Sequence, residues 1–299
     1  MKWYRGNLHT HTTASDGNVP VEKAAEWFHT HGYDFMVQTD HNFFREEPIY
    51  YHPDTPFLII PGCELSMSAE DKPVHLGSIN ITRNPNSEPM PTIIQTIQAG
   101  IDRTRSAGGI AVINHPNWCW SFTEYHMSKC TDWCLFELMN ASSDCNNWGA
   151  GGELSMEQRW DIMLSQGMKV YGVAADDSHQ YTGEFFGWKT SHPAQAWVCV
   201  QADDLTAEAV VEALEAGRFY SSIECGLEEY EATDEMISLK IRQDDSYRYT
   251  TTFIGSNGRV LSEVFGTEAS YRFTGNEVYV RARIDSSNGG SAWTMPVFL

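Results

Sequence analysis

Positive charge is scarce in this chain, because 20 Lys and Arg residues stand against 40 Asp and Glu residues, giving a formal net charge of −20. Nucleic acid and anionic membranes bind basic surfaces, so we expect neither as a partner. No apolar run approaches the ~18 residues of a membrane helix, and the first residues lack a signal-peptide core. We therefore expect a cytoplasmic protein. The sequence gives no indication of its oligomeric state.

Paired cysteine motifs are also lacking. The seven cysteines are an odd number and include no Cys-x-x-Cys pair, which is typical of reduced thiols and not of a disulfide framework. The composition, 41% hydrophobic and 20% charged, is that of a globular protein. A length of 299 residues predicts one domain of roughly 200 to 250 residues and a smaller one.

The first motif that could bind a metal ion is a His-x-His pair. Residues 2–8 are predicted to form a strand, and alternate residues of a strand point to the same side, so His9 and His11 can converge on one cation. Ser15, Asp16 and Gly17 are typical turn residues, and a turn there can bring the Asp16 carboxylate back toward the imidazoles. His29 and His31 repeat the spacing, but they end a predicted helix, which does not aim such residues at one point.

Apolar strands alternate with helical patterns over the first 220 residues, and polar residues follow several of the strands. The residues placed just beyond a strand are His41, Glu64, His115, Asp177 and His179, and His75 lies on a strand of its own. Alternation of this kind predicts an α/β barrel, in which the functional residues lie at the carboxyl ends of the strands. These side chains are therefore expected at one rim.

The hydrophobic period changes after residue 223. Ile237, Leu239 and Ile241 alternate with polar residues, and Asn257-Gly258 is a turn signal between two such runs. This pattern predicts a small antiparallel β module over residues 224–299, beside a main domain over residues 1–223. The module contains no histidine, so we assign it no catalytic role.

Taken together, the motifs resemble those of the polymerase and histidinol phosphatase (PHP) superfamily. They are His9-Thr10-His11 with Ser15-Asp16-Gly17, Thr39-Asp40-His41-Asn42, Pro61-Gly62-Cys63-Glu64, His75, Asn114-His115-Pro116 and Asp177-Ser178-His179. Residues 219–222 and 292–299 are similar to the branch that contains carbamate-insecticide (carbaryl) hydrolases. The resemblance implies a distorted TIM-like (β/α)7 barrel with a C-terminal β module.

The resemblance also implies two or three divalent metal ions. Their ligands would be His9, His11, Glu64 and Asp177 for the first, Glu64, His75 and His115 for the second, and Asp16, His41 and His179 for the third. In family members with three ions the position of Asp16 is often histidine, so the aspartate leaves the count of two or three open. Imidazoles and carboxylates without thiolates suit Zn, Mn or Fe.

This donor set favours a metal-dependent hydrolase. Two neighbouring cations lower the pKa of a bridging water toward ~7 and hold the oxygens of a phosphoryl group, which favours a phosphoesterase acting on a small anionic substrate. Asp177 or His179 would relay a proton to the leaving group. The same site would also serve a carboxylic ester or a carbamate. A module that binds metal without catalysis is the alternative of a different class.

Several residues near these motifs have two interpretations. Asp40, Asp176 and Glu137 either orient ligands or stabilise turns and strands. The tryptophans Trp118, Trp120 and Trp148 either line a substrate pocket or pack over the barrel. Arg45 and Lys189 are the nearest basic residues that could hold a phosphate. His52, His126 and His192 have no strand-end context and are predicted to lie in loops.

Overall fold

The computed structural model of the chain describes residues 1–46, 56–183 and 191–299. His52 and Lys189 lie outside the described residues. The helices are α1 (Val21–Thr30), α2 (Ile93–Ser106), α3 (Glu124–Met127), α4 (Met156–Ser165) and α5 (Ala207–Glu215). Within the described ranges, no helix is long and apolar enough to cross a membrane.

Nine strands accompany these helices in the first three quarters of the chain. They are β1 (Lys2–Asn7), β2 (Phe35–Gln38), β3 (Leu58–Ala69), β4 (Lys72–Ile79), β5 (Ile110–Ile113), β6 (Leu135–Asn140), β7 (Tyr171–Ala175), β8 (Trp197–Ala202) and β9 (Phe219–Ile223). All nine belong to one large mixed sheet, whose order over this region is β9-β8-β1-β2-β3-β4-β5-β6-β7. The predicted α/β class is confirmed.

Helix α1 shows how the predicted elements form. Pro20, with φ −69°, precedes the helix in a conformation that suits its start. Ala24, Ala25 and Phe28 then bury one face, and Gly32 takes φ +79° just after the helix ends. A side chain at Gly32 would be strained at that φ, so glycine lets the chain reverse and enter β2.

The strands are less regularly parallel than the alternating pattern predicts. Strand β3 continues through Glu64 to Ala69 and returns as β4 in an antiparallel hairpin. Its turn residues Glu70 and Asp71 take φ +54° and +59°, as a tight hairpin turn requires. Glu64 therefore lies inside a strand, paired with Gly77, and not just beyond a strand end.

The described strands do not form a closed hydrogen-bonded barrel, because β7 has no strand partner on its outer side. The segments that follow β1 and β7 nevertheless meet. Thr10 and Ser178 form an isolated parallel bridge, in which His11 N–H donates to Ser178 O at 2.9 Å. The carboxyl ends of these two strands are thereby held together, which places His9 and His11 beside Asp177.

The last quarter of the chain consists of strands. They are β10 (Leu227–Ala232), β11 (Met236–Ile241), β12 (Tyr249–Gly255), β13 (Arg259–Phe265), β14 (Glu268–Arg272), β15 (Tyr279–Ser286), β16 (Ser291–Thr294) and β17 (Val297–Phe298). Strands β10, β11 and β14 form a separate antiparallel sheet, whereas β16, β15, β12 and β13 extend the large sheet beyond β9. The predicted turn at Asn257-Gly258 joins β12 to β13, with φ +58° and +71°.

Buried charges join β15 to α4. Arg281 is fully buried, and its guanidinium donates to both carboxylate oxygens of Asp161 at 2.9 and 2.7 Å. Tyr279 also donates to Asp161 at 2.8 Å, and Arg281 makes a further hydrogen bond of 2.8 Å with Glu157. A charge buried in this way is stable only while its partners remain in place.

Candidate metal centre

Nine histidine and carboxylate side chains converge at one end of the sheet. They are the nine residues singled out in the sequence, namely His9, His11, Asp16, His41, Glu64, His75, His115, Asp177 and His179, and they form four overlapping groups whose ligand atoms lie within 4.8 Å of one another. His9, His11, Glu64, His115 and Asp177 are buried. The remaining members are more exposed and face the cavity described below.

Glu64 is the most connected member of the cluster. Its Oε1 lies 3.3 Å from His9 Nε2, 3.2 Å from His75 Nδ1 and 3.2 Å from His115 Nε2. Its Oε2 lies 2.8 Å from His41 Nδ1. Burial alone would raise the pKa of this carboxyl, but the surrounding imidazoles, first His9 and His75, hold the pKa well below its usual value. Glu64 is therefore an ionised carboxylate shared among four imidazoles.

Asp177 forms the second carboxylate of the buried group. Its Oδ1 lies 3.2 Å from His9 Nε2 and 3.1 Å from His11 Nε2, and the two Nε2 atoms are 3.0 Å apart. Burial opposes ionisation, yet His9 and His11 lower the pKa of Asp177 far below its ordinary value. Asp177 has φ +53° and His115 has φ +26°, backbone conformations that residues with a side chain rarely adopt. Such strain is common where a site fixes its ligands.

Asp16 joins three imidazoles on the more open side. Its carboxylate lies 3.5 Å from His11 Nδ1, 3.5 Å from His41 Nε2 and 3.4 Å from His179 Nε2. Burial alone lowers the pKa of His41, but the carboxylates of Asp16 and Glu64 raise it to about 10. The side chain of Asp16 is 54% exposed, so this group is the most accessible part of the cluster.

The loop that carries Asp16 is held by Asp40. The Asp40 carboxylate accepts hydrogen bonds from Thr12 N at 2.7 Å, Thr12 Oγ1 at 2.8 Å and Ser15 Oγ at 2.8 Å. Gly17 completes the turn, since a Cβ there would lie 2.4 Å from the carbonyl oxygen of His11. Of the two interpretations of Asp40, the structure shows both at once: the carboxylate fixes the turn and thereby positions Asp16.

Glu137 is a functional candidate that the sequence left undecided. It is buried on β6, where its Oε1 lies 2.7 Å from His9 Nδ1. Its Oε2 accepts hydrogen bonds from His115 N at 2.7 Å and from Asn140 Nδ2 at 2.9 Å. The signal available in the sequence was a lone carboxylate within an apolar strand, which is costly to bury unless it has partners.

Asp176 has a different environment from its neighbour Asp177. It accepts hydrogen bonds from Asn7 Nδ2 and from the backbone of Ala194, Gln195 and Ala196, at 2.8 to 2.9 Å. Burial raises its pKa to about 7, although these backbone hydrogen bonds lower it. The carboxylate thus joins the end of β7 to the segment that leads into β8.

The donor set fits a metal ion. Because Glu137 accepts the Nδ1 proton of His9, the Nε2 atom of neutral His9 is an acceptor that faces the carboxylates of Glu64 and Asp177. His75 Nδ1 is buried and makes no hydrogen bond within the described chain. Ligand atoms about 2.1 Å from one ion in tetrahedral geometry lie roughly 3.4 Å apart, close to the separations of 3.0 to 3.6 Å found here.

A cavity of about 300 Å³ opens onto the cluster. Among the described residues, its remaining wall is formed by Trp118, Ser142, Asp144, Cys145, Gln180 and Ser191. Trp118 lines this cavity, whereas Trp120 and Trp148 lie outside its lining and are 38% and 55% exposed. Arg45 pairs with Glu22 at 3.5 Å and also lies outside the lining. His31 contacts Trp27 of α1 and does not belong to the cluster.

Comparison with known proteins identifies the fold. No family model matches the sequence, and no curated protein matches it. A solved structure from Bacteroides vulgatus, described as a two-domain protein containing a predicted PHP-like metal-dependent phosphoesterase, superposes with a TM-score of 0.53 at 15% identity. The match covers 99% of this chain and 95% of that one.

Two further structures superpose less closely. A candidate metal-dependent phosphoesterase from Bifidobacterium adolescentis has a TM-score of 0.41 at 14% identity, covering 63% of this chain and 92% of its own. An amidohydrolase from Chromobacterium violaceum, with bound sulfate and no metal, has a TM-score of 0.41 at 13% identity, covering 72% and 96%. Similarity of that degree does not establish a shared fold.

The match to the Bacteroides vulgatus structure covers nearly the full length of both chains. On that match, the chain has the fold of a two-domain PHP-like protein, and the resemblance in its motifs is confirmed at the level of the fold.

Proposed function

We propose that this protein is a metal-dependent hydrolase and that phosphoesters are its substrates. The observation that carries the proposal is the Glu64 carboxylate, which lies within 3.3 Å of four imidazoles from four segments of the chain. A single buried carboxylate surrounded in this way is suited to bridge two cations. The family resemblance of the motifs supports the same assignment.

The nine clustered residues would hold two or three divalent ions, of Zn, Mn or Fe. His9, His11 and Asp177 would complete one position with Glu64, and His75 and His115 a second. Asp16, His41 and His179 would form the third. When bound, such ions supply Lewis acidity and a water molecule of lowered pKa. The distorted TIM-like (β/α)7 barrel implied by the motifs is part of this proposal, with the bridge between Thr10 and Ser178 as its closing contact.

The residues of the chain would perform three tasks. Glu137 orients the ring of His9 through Nδ1 and accepts a hydrogen bond from the backbone N–H of His115, which fixes the main chain that carries the second imidazole. Asp177 and His179 face the cavity, and one of them would carry the proton to the leaving group. His179 Nδ1 lies 2.8 Å from the backbone oxygen of Asp177, an arrangement that leaves Nε2 directed to the cluster.

A small anionic substrate fits the site despite the acidic chain, because bound cations make the cavity locally positive. A second candidate is hydrolysis of a carboxylic ester or carbamate. The observation in its favour is that the described part of the cavity wall contains no Lys or Arg to hold a phosphate. The branch that includes carbaryl hydrolases, implied by residues 219–222 and 292–299, would have this activity.

A substrate panel tests the proposal. Protein purified and loaded with Mn or Zn is assayed on p-nitrophenyl phosphate and bis(p-nitrophenyl) phosphate, beside aryl esters and carbamates. Phosphoester turnover is expected, and Asp177→Asn and His9→Ala should abolish it while the circular dichroism spectrum stays that of the wild type. Turnover of the carbonyl substrates alone would favour the second candidate. Absence of any turnover, with metal bound, would favour a non-catalytic module.

A further inference from the structure

Asn140 ends β6, the strand that also carries Glu137, and its side chain is fully buried. On a regular strand, two residues three positions apart point to opposite faces of the sheet. The pairing of β6 with β7 shifts by one residue between Glu137 and Met139, so Leu138 is an extra residue that β7 does not match. A bulge of this kind redirects the side chains that follow it. It turns Asn140 to the side of Glu137, and a hydrogen bond of 2.9 Å joins the two side chains.

The side-chain amide of Asn140 gives both of its N–H groups to carboxylates. Nδ2 donates to Glu137 Oε2 at 2.9 Å and to Asp177 Oδ2 at 3.2 Å. Oδ1 accepts a hydrogen bond of 2.9 Å from the backbone N–H of Ser142. These partners fix which way the amide points, because an ionised carboxylate can only accept and a backbone N–H can only donate. One nitrogen therefore connects two carboxylates of the site.

The same two carboxylates also contact the two nitrogens of a single imidazole ring. Glu137 Oε1 lies 2.7 Å from His9 Nδ1, and Asp177 Oδ1 lies 3.2 Å from His9 Nε2. His9, Glu137, Asn140 and Asp177 thus form a closed cycle of contacts, and all four side chains are buried. With the proton of neutral His9 on Nδ1, the contact between His9 Nε2 and Asp177 Oδ1 is the one that joins two acceptors. A cation would fit at that contact.

The cycle gives the two oxygens of Asp177 different partners. Oδ1 lies 3.2 and 3.1 Å from the Nε2 atoms of His9 and His11, whereas Oδ2 accepts from Asn140. A carboxylate can bind a cation through one oxygen or through both. Zn is usually held by four ligands, whereas Mn favours a larger, oxygen-rich set. The number of oxygens that Asp177 supplies therefore bears on which ion is preferred.

We propose that Asn140 is a positioning residue that restricts Asp177 to one metal-binding oxygen, Oδ1, and thereby favours Zn over Mn at the position shared by His9, His11 and Glu64. This inference rests on the proposed function for the presence of an ion there. The amide contacts neither the ion nor the substrate and acts through the orientation of Asp177. Without its N–H group, Oδ2 is free to turn to the ion as a further ligand.

The ratio of the Zn and Mn dissociation constants tests this role without requiring turnover. Both constants are measured by competition with a chromogenic chelator. Asn140→Leu keeps the approximate size of the side chain and should shift the ratio roughly tenfold toward Mn, within the usual effect of losing a partner of a metal ligand. A general loosening of the site would weaken both ions alike and leave the ratio unchanged.

Asn147→Leu is the matched control. The Asn147 side chain makes two hydrogen bonds with the backbone of Asn140, at 3.1 and 2.7 Å, so its loss loosens the same stretch but leaves the Asn140 amide in place. The control should keep the wild-type ratio. An unchanged ratio in Asn140→Leu, or the same shift in both variants, would overturn the role of the amide.

A crystal structure of the Zn-loaded wild type tests the same point even if Asn140→Leu does not fold. Asp177 Oδ1 alone on the ion, with Oδ2 on Asn140, would support the inference, and both oxygens on the ion would overturn it.

Hydrolysis of p-nitrophenyl phosphate and bis(p-nitrophenyl) phosphate separates this inference from the proposed function. If the ratio depends on Asn140 but neither compound is hydrolysed, the positioning role stands and the phosphoesterase is wrong. If they are hydrolysed while Asn140→Leu keeps the wild-type ratio, the phosphoesterase stands and the positioning role is wrong. If the wild type binds neither Zn nor Mn, both proposals are overturned.

Discussion

Glu137 Oε1 accepts a hydrogen bond of 2.7 Å from Nδ1 of His9, and this bond decides which nitrogen of His9 faces the cluster. With its proton on Nδ1, the ring presents Nε2 to Glu64 and Asp177, at 3.3 and 3.2 Å. The same carboxylate holds the backbone of His115. One buried residue therefore orients the ring of His9 and fixes the main chain that carries His115.

Replacement of Glu137 by glutamine should weaken metal binding about 10- to 100-fold, the usual effect of losing such a partner. The amide keeps the size of the side chain but has only one acceptor oxygen. In Glu137 one carboxylate oxygen accepts from His9 Nδ1, and the other accepts from His115 N–H and Asn140 Nδ2, so both positions need an acceptor. Titration with Zn or Mn measures the affinity. Glu263→Gln, on the exposed surface of β13, should match the wild type.

Removal of metal should destabilise the whole protein. Without a cation, the acceptor atoms of His9, Glu64 and Asp177 face one another in a buried space and must take up protons. Binding at 1,000 times the dissociation constant contributes ~4 kcal/mol to the free energy of unfolding. We expect chelation to lower the melting temperature and added Mn or Zn to restore it. Elemental analysis should find at least two equivalents, and an unchanged melting temperature after complete chelation would contradict the site.

The count of ions can be tested at Asp16. Its carboxylate is 54% exposed and lies 3.4 to 3.5 Å from three imidazoles, whereas Glu64 and Asp177 are buried. Asp16→Asn should therefore remove one equivalent of metal and leave the two buried positions filled. Asp16→His, which supplies an imidazole donor, should keep the third ion. Mass spectrometry under native conditions reads the count directly, and equal counts in the wild type and Asp16→Asn would exclude a third ion held by this residue.

Local patterns in the sequence, together with the family resemblance of the motifs, selected the nine residues of the cluster, because most of them are predicted just beyond apolar strands whose carboxyl ends meet. Those patterns could not show the hairpin of β3 and β4. The pattern predicts Glu64 just beyond a strand, yet β3 continues to Ala69 and places Glu64 inside the sheet. Which strands pair depends on contacts between distant segments, which no local period contains.

Arg281 is a second example of what local patterns miss. The alternation of Val280, Ala282 and Ile284 places Arg281 on the face that a one-sided sheet exposes to water. In the structure this face is covered by α4, and Arg281 is fully buried against Asp161, 120 residues earlier in the chain. The position of Arg281 in an alternating strand does not indicate that it pairs with a carboxylate 120 residues away.

Breaking this buried pair should cost much more stability than breaking an exposed one. Arg281→Met leaves the Asp161 carboxylate buried without its positively charged partner, so the free energy of unfolding should fall by about 3–5 kcal/mol. Arg272→Met is the matched control, because Arg272 and Glu235 form an ion pair of 2.6 Å in which both side chains are 68% exposed. Its effect should stay below about 1 kcal/mol. Denaturant unfolding measures both values, and adding Asp161→Leu to Arg281→Met should recover most of the loss by removing the uncompensated charge.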